Sequence, residues 1–191
     1  MNTEHQLIKD CIAQNKEAQR QLYLKYAPLL KAICLRYEPN RENTQDLLQD
    51  LFIKIYANIH KFNFDGSFEG WLRRMTINVC INYLNRVKRF QPDNLNDNDI
   101  AEINDTDEQS IVKELMEAGF NKTILLNALH QIPTQYATVF NMFYIDNYSH
   151  KEIAETLNFP DSRSRKWLFK SRELLRLELL KILNQKQTHH E

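Results

Sequence analysis

The residues best suited to chemistry lie in one stretch, GSFEGWLRRMTINVCINYL, at positions 66–84. Placed at about 100° intervals, as in an α-helix, five of its apolar residues share one stripe, which predicts a core face. That stripe comprises Phe68, Leu72, Met75, Val79 and Tyr83. A second stripe beside it continues past Leu84 and carries an aromatic ring, two amides and two guanidinium groups: Trp71, Asn78, Asn85, Arg74 and Arg89. Asn82 falls at the border of the two stripes.

The second stripe has the chemistry that holds nucleic acid with unstacked bases. An indole ring stacks on a base, amides hydrogen-bond to base edges and guanidinium groups bind phosphate. The stripe ends in the basic run RVKR, which adds Arg86 and Lys88, and the preceding loop KFNFDGS is expected to expose Phe62 and Phe64. Taken singly, each residue also has a structural explanation, with Trp71 in the core and the asparagines capping or solvated.

A second pattern, SHKEIAETLNFPDSRSRKWLFKSRELL at 149–175, predicts a helix-turn-helix. Ser149 and Glu152 fit a capping box, and the turn NFPD separates the two helices. Such a second helix enters the major groove by its N-terminal residues. The basic candidates there are Arg163, Arg165, Lys166 and Lys170. We expect Leu168 to be buried with Leu175 and Trp167 to stay partly exposed; a plain three-helix bundle with a solvated basic face is the alternative.

A third pattern, NTQDLLQDLFIKIYANIHKF at 43–62, predicts a helix capped by Asn43 or Thr44. Its core face comprises Leu48, Leu51, Phe52, Ile55 and Ile59. The other side carries two carboxylates, an amide and one apolar residue: Asp46, Asp50, Gln49 and Ile53. This face suits a basic, partly apolar partner surface. A face that is merely solvated is the alternative.

Composition places these patterns in an all-α protein of one or two domains. The 191 residues include only three glycines and five prolines, too few for the turns of a β-sandwich or barrel. Apolar residues follow a helical period almost throughout. The remaining predicted helices span 7–14, 18–37, 121–132 and 134–146, and Pro28 is a candidate kink or interruption in the second of these.

Several classes of protein find no support in the sequence. No apolar run approaches the roughly 20 residues that span a bilayer, and the N-terminus lacks the apolar core of a signal peptide, so we expect a cytoplasmic protein. The three cysteines lack C-x-x-C spacing and are interpreted as small apolar residues. The histidines form no ligand pattern, and phosphate loops, metal motifs and nucleophile elbows are missing. We therefore expect no enzyme, no metal and no cofactor.

The net charge of zero is a cancellation between segments. Residues 1–90 hold 14 basic against 9 acidic residues, 91–120 hold 1 against 9, and 121–191 hold 10 against 7. The middle segment is rich in Asn and Asp, and its apolar residues show no period, which predicts a flexible acidic linker. We therefore expect helical domains at 1–90 and 121–185 and a polar tail at 186–191. The basic blocks are compatible with nucleic acid, and the linker alone could be a solubilising spacer.

In this order and at this separation, the motifs resemble those of the extracytoplasmic-function (ECF) sigma factors, which are two-domain bacterial initiation factors. DLLQDLFIKIY is similar to the family's helix for core RNA polymerase, and FEGWLRRMTINVCINYLNR to its helix that reads and melts the −10 element. ATVFNMFYIDNYSHKEIAETLNFPDSRSRKWLFKSRELL resembles its −35-reading domain. The resemblance covers about residues 8–90 and 123–180.

The resemblance implies a role for each motif. Asp46, Gln49 and Asp50 match positions that contact the coiled coil of the largest polymerase subunit, and Ile53 lies on the same face. Trp71 and Asn78 match positions near the melted −10 strand, and residues 61–67 match the loop that captures a flipped −10 base. The groove-facing part of the −35 helix corresponds to Arg165, Lys166, Phe169 and Lys170. The acidic linker would follow the RNA-exit region of the polymerase.

Three departures from the family pattern affect the expected contacts. The run from Pro160 to Arg165 stands where a Ser-x-Gly-Thr-Val-Lys-like run is common, which changes the first turn of the −35 helix. Ile77 stands where an arginine commonly precedes Asn78, which removes one phosphate contact. Asn82 replaces a frequent aspartate.

Together these features predict a bacterial transcription initiation factor that binds core RNA polymerase, directs it to −10 and −35 elements and assists melting. Its expected partners are core RNA polymerase, promoter DNA and an anti-sigma factor. A stand-alone helix-turn-helix regulator with a dimerising or sensing N-terminal domain is the alternative, and it would bind duplex operator without polymerase. An interaction protein that uses the Asp46 and Asp50 face without DNA is a further class.

Overall fold

The computed structural model describes residues 3–87 and 121–188, with side chains over 4–87 and 121–182. All regular structure within these ranges is helical, which confirms the predicted all-α class. The chain divides into two compact units, Met1–Val87 and Lys88–Glu191. The acidic linker at 91–120 and the last three residues of the polar tail lie outside the described residues.

The first unit is built around one central helix. Its helices are α1 (Thr3–Ile12), α2 (Lys16–Tyr37), α3 (Arg41–Asn58) and α4 (Phe68–Arg86), with a 3₁₀ turn at Ile59–Lys61. Helix α2 packs against each of the other three helices. The side chains that are fully buried in this core include Ile8, Leu22, Leu30, Leu51, Ile55, Leu72, Ile81 and Leu84.

Two helix features differ from the sequence prediction. Pro28 lies inside the continuous helix α2 and does not interrupt it. Pro28 and Leu24, whose carbonyl loses its usual partner, are both exposed, so water can reach that carbonyl. Helix α3 is capped by Asn40, whose side chain accepts hydrogen bonds from the amides of Glu42 and Asn43. The predicted caps Asn43 and Thr44 are therefore wrong.

The second unit packs three short elements against one long helix. They are α5 (Lys122–Leu129), α6 (Thr134–Phe140), which continues as a π-helical turn at Asn141–Ile145, and α7 (His150–Leu157). The long helix α8 (Asp161–Thr188) contacts α5, α6 and α7.

Local hydrogen bonds mark both ends of helix α7. The predicted capping box is confirmed: the Ser149 hydroxyl accepts from the Glu152 amide at 3.2 Å, and the Glu152 carboxylate accepts from the Ser149 amide at 2.9 Å. Helix α7 ends at Asn158 in the left-handed conformation, with φ 57°. Asparagine tolerates this conformation, which reverses the chain within the turn NFPD. The predicted helix-turn-helix is thus present.

Candidate nucleic-acid interface

Helix α4 buries a wider arc than its predicted core stripe. Three members of that stripe are buried: Phe68, Leu72 and Val79. Met75 and Tyr83 are only half-buried, whereas Ile77 and Ile81, outside the predicted stripe, are buried. Helix α4 packs against both α2 and α3, and two neighbours cover more of a helix than one does.

The predicted second stripe coincides with the exposed face of α4. Its polar members in the described part of the chain are exposed: Arg74, Asn78 and Asn85. Trp71 is half-buried at the N-terminal end, and Asn82, predicted at the border, is exposed with the other asparagines. Arg86 is exposed, with its guanidinium 5.7 Å from the Tyr83 ring centroid. Lys88 and Arg89 lie outside the described residues, so their place on this face stays a prediction.

The loop before α4 differs from the prediction of two exposed phenylalanines. Phe62 is buried, with only 6% of its surface exposed, so that prediction is wrong for this residue. Its ring lies 5.1 Å from Phe68 and 6.0 Å from Trp71, because the loop folds back over the first turn of α4. Phe64 is half-buried and has φ 64°, a conformation that bulky residues rarely adopt. Phe64 thus remains the accessible ring of the loop.

Six rings join this loop to α1, α2 and α4, and we call them the aromatic cluster. The cluster comprises His5, Tyr26, Phe62, Phe64, Phe68 and Trp71. Phe68 and Trp71 stack with an interplanar angle of 16° and a centroid separation of 5.6 Å. His5 meets Phe64 edge-on at 5.0 Å. No sequence pattern indicated His5 or Tyr26 as members, because their contacts join segments far apart in the chain.

The aromatic cluster is braced by one carboxylate on α1. Glu4 accepts a hydrogen bond from the Lys25 ammonium at 2.7 Å and another from the Tyr26 hydroxyl. These bonds, that from Lys25 first, lower the pKa of the Glu4 carboxyl. The bond to Glu4 raises the pKa of Lys25, so both groups stay charged at neutral pH. Helix α1 is therefore tied to α2 beside the rings.

The outer face of α3 is exposed as predicted. It comprises Asp46, Gln49, Asp50 and Ile53, and the last of these exposes 63% of its surface. The buried residues of α3 lie on the other side and include Leu48, Leu51, Phe52 and Ile55. An isoleucine this exposed, on the same face as two carboxylates, suits a partner surface, but its contact with polymerase stays a prediction.

Helix α8 corrects one prediction about burial. Leu168 and Leu175 are buried as predicted, but Trp167 is also buried, with 7% of its surface exposed. Its indole lies between the rings of Tyr136 at 5.9 Å and Phe159 at 5.0 Å. Phe159 belongs to the turn NFPD, so the turn itself covers the indole.

The predicted −35 residues lie off the buried face of α8. Arg163 is exposed, and Arg165, Lys166, Phe169 and Lys170 are partly exposed. Arg165 lies 3.8 Å from the Asp161 carboxylate, and Lys170 lies 2.8 Å from that of Glu173. Exposed ion pairs of this kind are weak, so DNA phosphate can replace the carboxylates. The base contacts themselves stay a prediction.

A buried hydrogen bond sets α8 against α7. The His150 Nδ1 atom lies 2.8 Å from the Ser164 hydroxyl, and both side chains are buried. The imidazole also stacks on Phe143, with ring centroids 4.7 Å apart. Ser164 lies in the first turns of α8, so this bond fixes the end of the helix that carries the basic residues.

The described residues were also compared with the requirements of a metal site, a reactive thiol and a membrane span. Within the described residues, no group of three or more His, Cys, Asp or Glu side chains could hold a metal ion. The three cysteines are buried, and burial raises the pKa of Cys11 to about 11. Over residues 3–87 and 121–188, no helix combines the length and apolar character that a membrane span needs.

Both units match known families. Residues 22–90 match the family model for sigma-70 region 2, and residues 122–175 match the model for sigma-70 region 4. The chain is 30% identical to the ECF RNA polymerase sigma factor SigW of Bacillus subtilis (strain 168), over 91% of this chain and 97% of SigW. It is 26% identical to the RNA polymerase sigma-H factor of Pseudomonas aeruginosa, over 95% of this chain and 96% of that factor.

A solved structure shares the fold. The sigma factor RpoE, in complex with the anti-sigma factor NepR from Bartonella quintana, aligns with a TM-score of 0.52 at 15% identity, covering 84% of this chain and 95% of that one. The two family regions follow the order of the two units, and SigW is similar to the chain over nearly its full length. The chain therefore belongs to the ECF sigma factors of the sigma-70 family and serves promoter-directed initiation of transcription.

Proposed function

We propose that three exposed faces, one each on α4, α3 and α8, bind the −10 strand, core polymerase and the −35 element. The exposed face of α4 holds the unpaired −10 strand through Trp71, Arg74, Asn78, Asn85 and Arg86, continued by Lys88 and Arg89. Phe64 binds a flipped base, and Phe62 supports it from the buried side. The observation that carries this proposal is the single continuous polar face of α4, with a half-buried indole at its N-terminal end. Ring, amides and guanidinium groups in one line suit a single strand better than a duplex.

The outer face of α3 is the proposed polymerase contact. Asp46 and Asp50 attract a basic surface, and Gln49 supplies a hydrogen-bonding amide. Ile53 supplies the apolar contact that a solvated charged face would lack. This face lies on a different helix from the strand-binding face, so both can be occupied at once.

The N-terminal turns of α8 are the proposed −35 contact. Arg163, Arg165, Lys166 and Lys170 supply positive charge on the side away from the core, and Phe169 adds an apolar surface. The bond between His150 and Ser164 supports this assignment, because a reading helix must be held rigidly by its partner helix.

The two units act as a bivalent reader of the promoter. The proposed protein has no catalytic activity of its own and works in the cytoplasm. Domains at 1–90 and 121–185, joined by the acidic linker at 91–120 and followed by the tail at 186–191, make the second contact intramolecular once the first has formed. Capture of a flipped base offsets an unstacking cost of a few kcal/mol, so binding favours melting.

Run-off transcription with purified core polymerase and genomic promoter fragments tests the proposal. We expect specific transcripts that depend on this chain and are lost when −10 or −35 bases are scrambled. Tight binding to duplex without polymerase, with no specific transcript, would instead support the stand-alone regulator.

We also propose an anti-sigma factor as a restraining partner, since the structural relative RpoE was solved with NepR. A protein that co-purifies with the tagged chain from its source should inhibit run-off transcription when it is added back. A co-purifying protein without effect on transcription would not be such a factor.

A further inference from the structure

We infer that helix α1 is a positioning element for the base-capturing loop, acting through the His5 ring and the Glu4 carboxylate. The inference rests on the proposed function of residues 61–67. Helix α1 precedes the residues matched by the family model for region 2, which begin at 22. The loop and α1 are also separated by about 50 residues of chain, so their contact is a product of the tertiary fold alone.

The loop needs outside support because its backbone is strained. Phe64 has φ 64°, and Gly66 follows with φ 85°. A bulky residue with positive φ persists only where its surroundings hold it there. Inside the loop, the Asn63 side-chain amide donates to the Asp65 carboxylate at 2.8 Å, and the Asp65 backbone amide donates to the Asn63 side-chain oxygen at 3.3 Å. These bonds are exposed and fix the turn, but they do not fix the Phe64 ring.

Two rings fix the orientation of Phe64. Its centroid lies 5.0 Å from that of His5, at an interplanar angle of 70°, and 5.3 Å from that of Phe62. Both are favourable arrangements of aromatic pairs. Phe62 is buried and belongs to the loop, whereas His5 is exposed and lies on helix α1. Removal of the His5 ring therefore frees Phe64 without opening the core.

Helix α1 can serve as this support because it is tied down at the same point. Glu4, next to His5, accepts hydrogen bonds from Lys25 and Tyr26 of α2. The Tyr26 ring meets Phe68 edge-on at 5.7 Å, and Phe68 stacks on Trp71. The carboxylate, the loop and the first turn of α4 thus form one connected assembly. Loss of this support should affect −10 strand binding and not polymerase binding.

The test compares His5→Ala and His5→Phe with the control Gln6→Ala, each assembled with core polymerase. Gln6 is the exposed neighbour on α1 and bonds to Asp10 of its own helix. The probe is a labelled single-stranded oligonucleotide with the −10 sequence of a promoter found by run-off transcription, against the same oligonucleotide with scrambled −10 bases. Affinity for core polymerase and the thermal midpoint of the free chain are measured alongside.

We expect His5→Ala to weaken binding of the −10 oligonucleotide about 2-fold to 13-fold, the range set by one aromatic pair. His5→Phe should restore it, and Gln6→Ala should match the wild type, with core affinity equal in all variants. Equal affinities of His5→Ala and Gln6→Ala for the oligonucleotide would overturn the inference. So would a parallel loss of core affinity, which would mark a merely structural contact.

Failure of the proposed function has a different signature. The wild-type holoenzyme would then bind both oligonucleotides equally, before any variant is compared, and the inference would fall with it. Should His5→Ala prove unstable, His5→Leu replaces it as the ring-less variant. Equal binding by His5→Leu and His5→Phe would then count against the inference.

Discussion

Truncation of Trp71 to alanine is the sharpest test of the proposed strand-binding face of α4. One face of the indole already stacks on Phe68, with an interplanar angle of 16°. A flat ring has two faces, so at most one remains for a base. Loss of one stacked base costs about 1–3 kcal/mol, which corresponds to about a 5-fold to 150-fold loss in strand affinity.

The same substitution has a separate structural cost. Trp71 also pairs with Phe62 and Phe68, and each aromatic pair contributes about 0.5–1.5 kcal/mol to the folded unit. That cost should lower the free energy of unfolding. Met75→Ala is the matched control, because Met75 is a half-buried apolar residue at the same edge of α4, one turn further on. It should lower stability without the loss of strand binding.

The assay is permanganate reactivity of unpaired −10 thymines in promoter complexes, with core affinity measured by competition. We expect Trp71→Ala to reduce the open fraction strongly and to leave core affinity unchanged, while Met75→Ala resembles the wild type. If Trp71→Ala and Met75→Ala reduced the open fraction equally, or if Trp71→Ala lost core affinity in proportion, the indole would be a core residue and the reasoning would be wrong.

Three further substitutions test the other faces. Asp50→Lys should weaken core binding, whereas Glu17→Lys, the same charge change on α2, should not; equal core affinities would remove the α3 face from the interface. Lys166→Ala should weaken −35 duplex binding for all sequences and reduce its salt slope by about one, since a lysine at this end binds phosphate; an unchanged slope in a salt titration would exclude that contact. Ser164→Ala should cost about 1–3 kcal/mol in urea unfolding, because it removes the buried bond to His150; full stability would show that the bond does not hold α7 against α8.

The sequence alone determined features that depend on neighbours along the chain. The all-α class follows from the period of the apolar residues, and the capping box at Ser149 and Glu152 depends on residues three apart. The exposed faces of α3 and α4 were also predicted. The apolar side of a helix packs against its neighbours, so its polar side is exposed whichever neighbours those are. The polymerase and DNA contacts of these faces remain predictions, since they depend on partners outside the chain.

Only the tertiary structure decided how far each face is covered. Ile77 and Ile81 are buried because α4 meets two helices, and Phe62 is buried because its loop folds over the start of α4. Trp167 is buried because the turn NFPD places the Phe159 ring against its indole.

The contact between His5 and Phe64 was likewise decided only by the tertiary structure. Burial and ring contacts between distant segments are set by how helices pack, and helical periodicity carries no information about which neighbour covers which side. Periodicity therefore identified the exposed polar stripe of α4, whereas packing alone placed the His5 ring of α1 against Phe64.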